Sequence, residues 1–154
     1  MTEPVAIQDQ IPANHCFGCG PENDRGLQIK SFWVGDDETH CQFTPAPEHC
    51  AGPTHYLNGG IIATIIDCHT ICTAIADGYR QAGRQPGTGD KIWYATGRLD
   101  VHYKAPAAMD APVTLRAKIT GRSGRKTTLH CTLTSGDRIC ASAEVVAVRV
   151  PDNW

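Results

Sequence analysis

The chain lacks a charge imbalance, a basic leader and any uninterrupted apolar run of membrane-spanning length. Fourteen Lys and Arg against sixteen Asp and Glu give a net charge of −2. No global field therefore draws it toward nucleic acid or an anionic membrane. The opening MTEPVAIQDQ has no basic region followed by an apolar core, so it does not read as a secretory signal. The longest apolar stretch is broken by Asp67 and His69 and falls short of the roughly 18 residues of a spanning helix. Internal repeats and low-complexity tracts are also missing. The expectation is a cytoplasmic protein with neither nucleic acid nor membrane as partner.

What is present is one domain's worth of chain. Its 154 residues suffice to bury roughly 70% of the unfolded surface. Residues 1–14 have no sustained period and read as an irregular arm, leaving 15–154 as a single domain. Eight cysteines stand out. With no export signal they are expected to be reduced, several of them acting as small apolar side chains. Cys16 and Cys19 have zinc-ribbon spacing, but a metal site needs a second ligand pair. His40/Cys41, His49/Cys50 and Cys68/Cys72 do not supply one in the sequence, so no metal and no cofactor is expected.

Periodicity orders the rest. Leu27 and Ile29, continued by Phe32 or Val34, give a strand, and the turn at 35–38 leads to a return strand with Cys41 and Phe43 on one face. After a proline-rich loop comes Asn58-Gly59-Gly60, then a run apolar nearly all round to about Asp77, with Gly78 as its end. Such a helix has to be wrapped by other structure. Strands follow: Leu99, Val101, Tyr103; Val113, Leu115, Ala117, Ile119; a turn at Gly121 to Gly124; Leu129, Cys131, Leu133; and a last strand with Ala141, Ala143 and Ala147 on one face. Clean alternation with short turns marks an antiparallel sheet with one buried face. The order is two strands, one buried helix, four strands: an α+β chain whose sheet has to curl around its single helix.

With those residues in view, the chain from about 15 to 150 resembles the hotdog-fold acyl-CoA thioesterases of the phenylacetate-pathway (PaaI-like) type. Asn58-Gly59-Gly60 with Asp67 resembles the family's His-Gly-Gly motif and the acid that follows it. The segments 16–23 and 98–106 are also similar to stretches found in that family. The resemblance implies a curled sheet of five to six strands around the helix. It also implies hydrolysis of an acyl-CoA thioester, in a homodimer or a dimer-of-dimers tetramer.

The residue chemistry is compatible with this. Hydrolysis builds negative charge on the carbonyl oxygen, which N–H groups at a helix start can receive. Gly59 and Gly60 leave them open to approach, and Asn58 is a favoured cap type, although it stands where the family has histidine. Asp67 can serve as general base on water or as nucleophile. Gly60 and Asp67 lie about 10 Å apart along one helix, too far to act on one carbonyl within one chain. By resemblance, a site combines the glycine end of one copy with the acid of another. Thr96 stands where related enzymes carry a Ser or Thr beside the acid, as a water-positioning or carboxylate-orienting hydroxyl.

Arg122, Arg125 and Lys126 form the densest basic patch and could grip coenzyme A phosphates, with a plain solvated hairpin as the alternative. Two other functions use the same fold. One is a non-catalytic acyl-CoA binding or sensing module; the other is an acyl-CoA dehydratase, for which no Asp/His pair stands out.

Overall fold

Alternating hydrophobicity decides most of the architecture. The computed structural model describes residues 2–154, and its strands β4 (Val113–Ser123), β5 (Lys126–Ser135) and β6 (Arg138–Arg149) carry the expected pattern. Val113, Leu115, Ala117 and Ile119 are buried, as are Leu129, Cys131 and Leu133, with Ala141, Ala143 and Ala147 beside them. Preceding these in the chain are β1 (Ser31–Trp33), β2 (Glu38–Phe43), the 23-residue helix α1 (Gly59–Gln81) and β3 (Tyr94–Tyr103). All pairings are antiparallel, and the spatial order is β1-β2-β4-β5-β6-β3. The helix packs against β1, β3, β4, β5 and β6, so the sheet closes around it. Small side chains on β6 let the helix sit close.

By length and composition alone α1 could cross a membrane. Here the sheet supplies its apolar surroundings: Ile62, Ile65, Ile66, Ile71 and Ile75 all lie in one core with Leu115, Leu129 and Leu133. The helix also buries His69, whose Nδ1 pairs with Ser31 Oγ at 2.7 Å and Nε2 with Thr39 Oγ1 at 3.2 Å. Thr39 Oγ1 continues to Thr73 Oγ1 at 2.7 Å, and Gln8 Nε2 donates to Ser31 Oγ at 2.8 Å. Every member of this chain is partnered, as buried polar groups must be. His69 therefore has a structural position between helix and sheet.

Several elements differ from expectation. Strand β1 starts at Ser31, since Leu27 and Ile29 are buried while their N–H groups donate to Phe17 O (2.7 Å) and Gly18 O (3.2 Å) in the preceding loop. The helix continues through Gly78 to Gln81. At Gly78 an added Cβ would lie 2.9 Å from Ile92 and 3.0 Å from Tyr94, so this glycine serves close packing rather than termination. Strand β4 runs to Ser123, and the tight turn is Gly124-Arg125. In β3 the alternation is broken by a bulge between Thr96 and Arg98, and as an edge strand it leaves Tyr103 exposed. Residues 1–14, read as an irregular arm, carry a short 3-10 turn (Gln8–Gln10) and place Ile7 and Ile11 in the same core.

Candidate active site

The helix start is built by its cap. Asn58 Oδ1 accepts from Gly60 N–H at 2.7 Å and from Ile61 N–H at 3.2 Å, satisfying two of the donors a helix leaves open. This revises the expected pair of oxyanion donors. Gly60 N–H is occupied by the side chain that stands in the histidine position. Among the described residues Gly59 N–H has no hydrogen-bond partner. Tyr103 Oη donates to Gly59 O at 2.6 Å, and its ring lies beside Gly59. Gly59 and Ile62 line an open recess of about 370 Å³ with Tyr103, Lys104 and Pro106. Sequence reasoning missed Tyr103 and Lys104. Their position just before a proline turn at the far end of β3 was the available signal.

Two turns further along, Asp67 is half-buried. Thr96 Oγ1 donates to Asp67 Oδ1 at 2.6 Å, so the sheet and helix bring together the two residues paired above. Burial raises the Asp67 pKa; the Thr96 hydrogen bond opposes that rise and the nearby Cys19 adds to it. A carboxyl raised in this way is held nearer the range where it can exchange protons at neutral pH. Asp67 and Thr96 line a recess of about 190 Å³ with Cys16, Ile71, Trp93 and Tyr94. A larger cleft of about 690 Å³ adjoins it at Cys16 and Trp93, but the carboxylate lies in the smaller one. The Gly59 and Asp67 recesses share no lining residue. Each chain thus displays two separate recesses.

A thioesterase superfamily protein from Shewanella loihica PV-4 superposes with a TM-score of 0.65 at 29% identity, covering 90% of this chain and 96% of that one. A thioesterase from Haemophilus influenzae matches at TM-score 0.66 with 11% identity, covering 83% and 82%, a likeness of fold alone. The chain has the hotdog fold of the thioesterase superfamily. No protein-family model matches it.

In sequence, this hotdog chain is 29% identical over 141 residues to acyl-coenzyme A thioesterase THEM4 of Mus musculus, covering 92% of the chain and 55% of that protein. It is 31% identical over 108 residues to the Xenopus laevis protein of the same name, covering 70% and 42%. The chain thus spans about half the length of the curated relatives it matches.

The basic residues of the hotdog chain separate. Arg122 Nε donates to Asp77 Oδ2 at 2.8 Å, and Arg122 Nη2 donates to Asp77 Oδ1 at 2.9 Å and Asp37 Oδ1 at 2.7 Å. Burial of Asp77 opposes its charge, but hydrogen bonds from Arg122 and Arg80 outweigh this and hold its carboxyl below the usual range. This corrects the expectation that Arg122 is free for phosphates: a buried carboxylate already occupies its fork. Arg125 and Lys126 line an open cleft of about 660 Å³ with Arg149 and Trp154. There Arg125 donates from Nε and Nη2 to Arg149 O.

The sulfurs also depart from expectation. Cys68 and Cys72, judged unable to complement Cys16 and Cys19, converge on them. Cys16 and Cys68 sulfurs are 3.6 Å apart, as are those of Cys19 and Cys72. An i, i+4 pair projects from one helix face, and the 16–19 turn lies across that face. The spacing within the helix concealed a complement that only the fold creates.

Proposed function

We propose that this chain hydrolyses an acyl-CoA thioester at a site shared by two copies of itself. The single observation carrying this reading is Asp67: a half-buried carboxyl with raised pKa, oriented by Thr96 inside a recess of the fold used by thioesterases. Gly59 N–H, with the positive end of α1 behind it, suits the developing oxyanion. Asp67 removes a proton from the attacking water or attacks the carbonyl itself, and Thr96 fixes its orientation. With water as nucleophile, coenzyme A leaves as its thiolate, takes up the proton held on Asp67, and the free acid is released. With Asp67 as nucleophile, departure of the thiolate leaves a mixed anhydride on Asp67, which water then hydrolyses to the free acid and the regenerated carboxylate.

Two features support a shared site. The Gly59 and Asp67 recesses are separate within one chain, and β3 is a ten-residue edge strand with no strand on its outer side among the described residues. Unpaired edges invite another strand. A homodimer joined along β3 would carry Thr96 and Tyr103 into its interface. Arg125 and Lys126 are the cations left to receive coenzyme A phosphates. The PaaI-like assignment belongs to the same proposal.

The test is turnover of a panel of short-chain, aryl and long-chain acyl-CoA esters by wild type and Asp67→Asn, with products separated by chromatography. Loss of hydrolysis in Asp67→Asn with retained ester binding is expected. Undiminished hydrolysis would refute the role of Asp67. Tight binding without hydrolysis of any ester by wild type would instead indicate a binding module.

A further inference from the structure

Half of the chain's eight cysteines meet at one place, and no step of the hydrolysis uses them. Cys16 and Cys19 come from the loop before β1, and Cys68 and Cys72 from consecutive turns of α1. Each loop sulfur meets one helix sulfur at 3.6 Å, and the sulfurs of Cys16, Cys19 and Cys68 all lie within 4.8 Å of one another. A tetrahedral zinc tetrathiolate, with Zn–S near 2.3 Å, has sulfur–sulfur edges of about 3.8 Å. Both loop-to-helix contacts are close to that edge length and far longer than a disulfide bond, about 2.05 Å. Cys72 meets the cluster through Cys19 and stands outside the group of the other three, so metal binding has to draw its sulfur inward.

The local backbone is adapted to this convergence. At Gly18 an added Cβ would lie 2.2 Å from Cys68 Sγ, and at Gly20 it would lie 2.4 Å from Cys16 N. Glycine at 18 lets the Cys16–Cys19 turn press against the helix, and glycine at 20 lets the turn fold back on residues 14–16. Asn14 Nδ2 donates to Cys19 Sγ at 3.6 Å, an outer hydrogen bond of the kind that supports metal-bound sulfur. Among the described residues the other four cysteines make no sulfur–sulfur hydrogen bond. Cys41, Cys131 and Cys140 are buried elsewhere in the sheet, where a thiol acts as a small apolar group.

We propose that Cys16, Cys19, Cys68 and Cys72 form a closed tetrathiolate site for zinc that clamps the loop around residues 14–20 onto α1. Four protein ligands leave no open coordination position, so the metal is structural. Binding releases the thiol protons as each sulfur becomes a thiolate ligand. The clamp forms one wall of the Asp67 recess, because all four cysteines line it. It stands independently of thioester hydrolysis, since its evidence is the sulfur geometry.

The protein purified anaerobically with reductant is assayed for zinc by elemental analysis, then stripped and titrated with cobalt as a spectroscopic probe. One metal per chain is expected, with the thiolate-to-cobalt charge-transfer and tetrahedral d–d bands of an all-sulfur site. Cys16→Ser and Cys72→Ser should each weaken cobalt binding at least about 100-fold, while Cys131→Ser retains it. Circular dichroism checks that each variant is folded, and exposed Cys16 provides the milder substitution. Failure of the folded wild type to bind either metal would overturn the site. Cobalt binding without sulfur charge transfer, or unaltered by Cys16→Ser, would overturn it equally.

Discussion

Lowering the pH from 7 to 5 should remove about 2 kcal/mol of folding stability through His69 alone. The imidazole is fully buried between α1 and β2, facing the uncharged Ser31, Thr39 and Thr73, with His40 on β2 as the nearby titratable group. Burial lowers its pKa from 6.5 to about 3. Because the folded value is depressed, the unfolded chain takes up the proton first. The effect is therefore nearly absent above pH 6.5, grows as pH falls through 6.5, and is complete below about 3. At pH 5 the gap from 6.5 is about 1.5 units, which at about 1.4 kcal/mol per unit gives the figure above.

The assay is urea unfolding at pH 7 and pH 5, at one protein concentration, for wild type and His69→Gln. The variant should be less stable at pH 7 but lose about 2 kcal/mol less between the two pH values. For a chain of this size that is a difference of about 4–8 °C in the Tm shift. Equal losses in the two proteins would refute the assignment of His69 as a buried neutral link.

Arg122→Ala removes one partner of an almost fully buried Asp77. Arg80 remains and Arg122 is itself partly exposed, so a loss of about 2 kcal/mol in chemical unfolding is expected. Its KM for acyl-CoA should stay near wild type, while Arg125→Ala with Lys126→Ala should raise KM. Asn58→Ala takes the cap from Gly60 and Ile61 and should cost about 1 kcal/mol, read by thermal unfolding. Thr96→Ala should lower kcat about tenfold by removing a hydrogen bond to a carboxylate, with Thr96→Ser restoring most of it; matching kcat values for Thr96→Ala and wild type would contradict an orienting role.

The fold was legible because period-2 strands and one all-round apolar helix admit few architectures. Val113 through Ile119 and Leu129 through Leu133 announced their buried faces directly. Gly78 misled because a glycine that ends a helix and a glycine that admits a crossing chain are identical in sequence. The contacts of Ile92 and Tyr94 decide between them. At the site, Asp67 and the glycine turn stood out in the sequence, and Thr96 came from the family resemblance; the 2.6 Å bond that joins Thr96 to Asp67 is seen only in the fold. Capture of Gly60 N–H by Asn58 was not, because side-chain direction is set only once the cap forms. Arg122 and the four-cysteine cluster share one cause: their partners, Asp77 and the helix sulfurs, are brought close only by tertiary packing.

The shared site is tested most directly by complementation between two inactive chains. Asp67→Asn lacks the acid. Gly59→Val places a branched side chain beside Tyr103, where it shields the Gly59 N–H. Equal amounts of the two are mixed, subunit exchange is verified by native mass spectrometry, and acyl-CoA hydrolysis is measured. In a mixed dimer one site carries both defects and the other neither, so statistical exchange should restore about a quarter of wild-type turnover. Verified mixed dimers with no recovered turnover would contradict a site built from the glycine end of one copy and Asp67 of the other.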